Sequence, residues 1–174
     1  MDSTAQRTNQ AIHIANNHMG RFTLTQMLGP NGKAIVFMTA YHPVSHNKNG
    51  GMLTVMAQHK RVLSTNSDPL EAILSGLLKL VIKIYQQNHH IVLGIDANEM
   101  YRKDGPTQDN GISKFCSASG LVDAIYKKHD QCHILSCDWS SGTPIDFILC
   151  FPALLPFIRV GMISVNEGGS LDHR

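Results

Sequence analysis

Paired thiols are missing from this sequence: its four cysteines, Cys116, Cys132, Cys137 and Cys150, include no C-x-x-C spacing. Without that pairing, and in an intracellular setting, free thiols are expected. The segment holding His129, Cys132, His133 and Cys137 is dense in soft ligands. Its spacing matches no standard finger, so zinc is not expected. A long apolar run is missing as well. The longest, residues 73–84, is broken by Lys79 and Lys83 and falls short of the roughly 20 residues that a membrane span needs. No membrane helix is expected. Residues 1–20 hold no apolar stretch of the secretory kind, which points to an intracellular, nuclear or cytoplasmic location. There is no internal repeat and no low-complexity segment. Nor does charge of one sign dominate: 15 Lys and Arg against 13 Asp and Glu give a net charge of +2. Nucleic-acid binding usually relies on a clustered basic face, so charge alone leaves the partner open.

What is present suits a folded protein. With 43% hydrophobic and 16% charged residues in 174 positions, the chain can bury one core but not two, and residues 1–174 are read as a single domain. Residues 22–25 alternate apolar and polar, residues 29–33 (Gly-Pro-Asn-Gly-Lys) are turn formers, and residues 34–38 are continuously apolar. This predicts a hairpin. The second arm is apolar on both faces, the pattern of an inner strand covered on each side. Residues 52–63 are compatible with a short helix.

Asp68-Pro69-Leu70-Glu71 is a helix start, with a capping Asp, Pro at the first helical position and Glu three residues after the cap. Leu70, Ile73, Leu74, Leu77, Leu78, Val81 and Ile84 then recur at three- and four-residue steps, predicting one long amphipathic helix that ends near Asn88. Residues 91–95 form a short apolar run that stops at Asp96. A helix over 112–119, a connection over 121–124 and a buried strand over 145–150 complete the reading, which is of the layered α/β kind.

Polar groups stand at the ends of, or inside, these apolar strands: Tyr41-His42-Pro43, Asp96-Ala97-Asn98-Glu99, Asp146 and Asp172-His173. A charge within a buried strand is costly unless paired or metal-bound. Asp146 therefore calls for a partner, and His173 is the natural candidate. Each residue also has a plainer use. Tyr41 can be a rim aromatic, Asp96 and Asn98 can be turn formers after a strand, and Asp172 and His173 can belong to a frayed terminus. His42 and Glu99 read as loop residues outside the site.

The order of these clusters resembles the endonuclease/exonuclease/phosphatase superfamily, the DNase I-like enzymes, and within it the endonuclease domains of non-LTR retrotransposons. Thr39-Ala40-Tyr41-His42-Pro43 is similar to the strand end that carries that family's active-site Tyr. Gly94-Ile95-Asp96-Ala97-Asn98 is similar to its G-D-x-N element with one residue changed. Ile145-Asp146-Phe147-Ile148-Leu149 is similar to its R-I-D-Y-I-L strand, and Leu171-Asp172-His173-Arg174 to its closing S-D-H-R. The resemblance covers residues 21–174. It implies part of a four-layer α/β sandwich, with mixed sheets flanked by helices, and hydrolysis of phosphodiester bonds in nucleic acid, DNA foremost, with Mg²⁺ or Mn²⁺ as the cofactor.

It also implies roles. His173 would be the general base, oriented by Asp146; Asn98 and Tyr41 would donate to phosphoryl oxygens; Asp96 would orient water or assist the leaving group; and Asp172 would be a carboxylate at the metal. Pro144 and Leu171 stand where the family has Arg and Ser. The family's first strands, one with an Asn and one with a metal-binding Glu, have no counterpart in residues 1–20, which contain no Glu. The expectation is thus a partial domain, weak or inactive as it stands. The alternatives are an active nuclease in which a residue such as Glu99 supplies the metal site, or an inactive module that keeps the fold to bind nucleic acid or protein.

Overall fold

The computed structural model describes residues 8–9, 21–29, 32–43, 57, 61, 68–99, 111–129 and 145–159. Strands β1 (Thr8–Asn9), β2 (Phe22–Leu28), β3 (Ala34–Tyr41), β4 (His90–Asp96), β5 (Val122–Asp123) and β6 (Asp146–Cys150) form one mixed sheet in the order β1-β2-β3-β4-β6-β5. Helices α1 (Pro69–Gln86), α2 (Gly111–Ser119) and α3 (Ala124–Lys128) and a 3₁₀ helix (Pro152–Phe157) accompany it. The mixed sheet with flanking helices is the α/β arrangement expected from the sequence. Ala57 and Arg61 are helical, and the rest of the helix predicted over 52–63 lies outside the described residues.

The hairpin is as predicted. β2 and β3 pair antiparallel from Phe22 opposite Ala40 to Leu28 opposite Ala34. The Gly29 amide donates to the Lys33 carbonyl at 2.7 Å to close the turn, with Gly32 at φ +72°, a backbone state that glycine takes without steric cost. α1 then carries the chain back so that β4 can lie parallel to β3, with Ile35 opposite His90 and Tyr41 opposite Asp96. Asp68 caps α1 as predicted, its Oδ1 accepting from the Leu70 amide at 3.1 Å.

The buried face of α1 carries Ile73, Leu74, Leu77, Leu80, Val81 and Ile84. Leu80 is an addition to the predicted set, while Leu70 and Leu78 are only half-buried. This face meets Val36, Met38, Ile91, Leu93 and Ile95 from the sheet, and Ile112 and Phe115 from α2, in one core. Each fully buried Leu or Ile here contributes about 1.5–3 kcal/mol.

Two expectations are corrected. β3 is an inner strand, but among the described residues only one of its faces is well covered. Ala34, Val36 and Met38 point into the helix-side core, whereas Phe37 is 43% exposed on the other face and the exposed hydroxyls of Thr23 and Thr39 lie 2.8 Å apart. An apolar run does not by itself reveal whether both faces are occupied, because Phe and Ile suit a half-covered strand too. Second, residues 121–124 are more than a connection. Val122 and Asp123 pair with Cys150 and Leu149 of β6, and the Asp123 carboxylate accepts from the Ile125 and Tyr126 amides at 2.9 and 3.3 Å, starting α3. Among the described residues no helix is long and apolar enough to cross a membrane.

Candidate active site

Alternation along each strand decides which side chains share a face. In β4, Ile91, Leu93 and Ile95 are buried against the helices, so Asp96 points to the opposite, half-open face. Tyr41 is its parallel partner on β3, and Asp146 is its antiparallel partner on β6. With strands about 4.8 Å apart, Tyr41, Asp96 and Asp146 form a single row roughly 10 Å long at one end of the sheet. Three of the residues singled out in the sequence, far apart along the chain, are thus brought together. Asp146 is the first residue of β6 and half-buried, so it stands at the mouth of the sheet rather than inside it, a milder setting than the buried strand implied.

Asn98 lies just past the row in a tight turn. Its φ is +49°, a left-handed conformation that Asn tolerates better than most residues. Its backbone amide donates to Asp96 Oδ1 at 3.2 Å, and its side-chain Nδ2 donates to the His42 carbonyl at 2.8 Å. One N–H of the Asn98 amide is therefore committed within the protein, and only the other is left to approach a phosphoryl oxygen. Tyr41 is held from the far side: its amide donates to the Arg21 carbonyl at 2.8 Å, and the Arg21 guanidinium lies 5.2 Å from the centre of its ring, within cation–π range. Asp172 and His173 lie outside the described residues.

His42 and Glu99, which the sequence assigned to loops, are structural partners of the site. His42 is 1% exposed. Its amide donates to the Asp96 carbonyl at 2.8 Å, its ring Nδ1 is 2.8 Å from the Ala97 carbonyl, and its Nε2 is buried with no hydrogen-bond partner among the described residues. Glu99 Oε1 lies 3.7 Å from His42 Nδ1, and its Oε2 accepts from the Ile112 amide at 3.1 Å, so this carboxylate caps α2 from outside the helix. That commitment removes Glu99 from the row and counts against its use as a substitute metal ligand.

Behind the pair, between α1 and α2, is a cavity of about 390 Å³ lined by His42, Glu99, Asp68, Glu71, Lys114 and Phe115 among others. Nothing local in the sequence flagged His42. The only cue was its place between a site Tyr and a Pro at a strand end.

Asp96 and Asp146, as hard oxygen donors on adjoining strands, fit Mg²⁺, which is usually bound by one or two carboxylates with waters completing its shell. Among the described residues no group of three or more His, Cys, Asp or Glu could hold a metal ion. Of the soft-ligand segment considered for zinc, only His129 is described; Cys132, His133 and Cys137 lie outside. Cys116 and Cys150 are free and buried.

No protein-family model matches this sequence, and no curated protein does. Solved structures do match in shape. The catalytic domain of APE2 from Xenopus laevis superposes with a TM-score of 0.56 at 20% identity, over 88% of this chain and 53% of that one. A 3′ phosphatase from Neisseria, NExo, solved with a product DNA hairpin, gives 0.51 at 12% identity, over 87% and 60%. The chain spans a little over half the length of these structures. At such identities the likeness is one of fold alone, the DNase I-like α/β fold.

Proposed function

We propose that this chain is a nucleic-acid phosphodiesterase domain of the endonuclease type, weak in activity, with DNA as its substrate and retrotransposon endonucleases as a functional class it resembles. The row formed by Tyr41, Asp96 and Asp146 on three adjoining strands, with Asn98 in the turn beside it, carries the reading. A buried core with no chemistry has little use for two carboxylates side by side at a sheet end, where like charges directly opposite repel.

In this reading the scissile phosphate lies over the row. Tyr41 Oη and the second Asn98 amide N–H donate to phosphoryl oxygens as negative charge develops. His173 takes the proton of the attacking water, and Asp146 accepts the other ring N–H, which fixes the tautomer. Asp96 orients water or assists the leaving oxygen. Asp172 would be the carboxylate beside a Mg²⁺ or Mn²⁺ ion, which would supply neutralisation of the phosphoryl charge. The DNA hairpin bound to the Neisseria phosphatase supports nucleic acid as the ligand class.

Supercoiled-plasmid nicking with and without Mg²⁺ tests this. His173→Ala and Asp146→Asn are each expected to lower the rate by about 100-fold or more, the scale of a lost general base and its orienting group. Nicking that survives both substitutions unchanged sinks the proposal. Salt-dependent DNA binding without any cleavage favours instead a non-catalytic binding module.

A further inference from the structure

We propose that His42 is a positioning residue for the turn formed by Asp96, Ala97 and Asn98, acting through its Nδ1–H; the role presupposes that Asp96 and Asn98 work on a phosphate. His42 directly follows Tyr41 and binds three consecutive residues of the other strand's end. Its amide donates to the Asp96 carbonyl, its Nδ1 meets the Ala97 carbonyl, and its own carbonyl accepts from Asn98 Nδ2, each at 2.8 Å. Two of these bonds use backbone atoms that any residue offers. The Nδ1 bond is particular to the imidazole.

A carbonyl oxygen has no proton to give, so Nδ1 is the donor and carries a proton. Glu99 Oε1, 3.7 Å from Nδ1, favours the same placement. Nε2 is then left buried with no hydrogen-bond partner among the described residues. A side chain kept only to fill space would avoid that penalty, since an apolar group of like size strands no nitrogen. The benefit that offsets it is control of the Ala97 peptide, which lies between the two residues proposed to face substrate. With Asn98 in a left-handed conformation, a rotation of that peptide redirects both side chains.

The test uses the whole chain carrying His42→Asn, His42→Gln or His42→Ala. Asn offers an amide N–H close to where Nδ1 stands, Gln carries its donor one bond further, and Ala has none. In Mg²⁺-dependent nicking, His42→Asn is expected to keep kcat within about 3-fold of the unaltered chain. His42→Gln and His42→Ala are expected to lower kcat by roughly 10- to 100-fold with KM little changed, the scale of a misplacement of about 1 Å. Equal losses in His42→Asn and His42→Ala, or losses that only follow the melting temperature, overturn the proposal.

A second readout requires no turnover. Two-bond ¹H–¹⁵N correlation of the unaltered chain should place the ring proton on Nδ1, and the Ala97 and Asn98 amide signals should move in His42→Ala but stay near their positions in His42→Asn. A proton found on Nε2 overturns the proposal even if the chain nicks DNA. A chain that never nicks but shows these signals supports the clamp while ending the nuclease reading.

Discussion

The two buried thiols give the fold an alkaline limit. Burial, and after it the Asp123 carboxylate, pushes the Cys116 thiol up to about 12. The same two causes in the same order, against a smaller opposing effect of Lys128, push Cys150 up to about 11. An unfolded chain loses these protons near pH 8.5, so above that value the folded state holds more protons than the unfolded one and stability falls as pH rises. The slope approaches about 1.4 kcal/mol per pH unit for each thiol until its folded value is reached. Denaturant melts at stepped pH from about 8 to about 11 should show this decline, and Cys116→Ala should lessen its steepness.

Single residues are also where the sequence was least legible. Asp96, Asp146, Tyr41 and Asn98 announce themselves as polar groups at the ends of apolar runs. His42 does not, because its meaning lies in a contact with Ala97, 55 positions along the chain, and no local pattern records such a contact. Glu99 was hidden for the same reason: as a cap for α2 it works 13 positions from the amide it binds.

Among the elements, α1 was the most legible, since capping and periodicity act within a few residues of one another. Asp68→Ala should cost about 1 kcal/mol through the lost bond to the Leu70 amide. Leu77→Ala, at a fully buried position, should cost about 2–5 kcal/mol. Both are measured by chemical denaturation, and the ratio between them separates a local end effect from a core defect. β5 and α3 were illegible because a two-residue strand exists only through its partner: Val122 and Asp123 become a strand by meeting Cys150 and Leu149. The same holds for the half-open face of β3, since the sequence of a strand does not say what lies opposite it.

For the molecule as a whole, the small net charge of +2 bears on how nucleic acid would be held. Affinity gained from phosphate contacts falls as salt rises, with a slope of about −0.9 for each phosphate neutralised on a duplex. With an excess of only two basic residues to draw on, binding measured between about 50 and about 200 mM salt should show a shallow slope, equivalent to a few contacts rather than the 6–10 of a strongly basic binder. A steep slope would point to a basic surface that the charge balance does not suggest.

The middle position of β4 has a further consequence. It is bonded to β3 along one edge and to β6 along the other, so its amides should exchange with deuterated solvent only when the entire fold opens, more slowly than those of the short outer strand β5. Asp96 is rooted in that slow strand. Its lifetime in the working arrangement is therefore the lifetime of the native state, and protease nicking or fraying at the periphery can proceed without disturbing it.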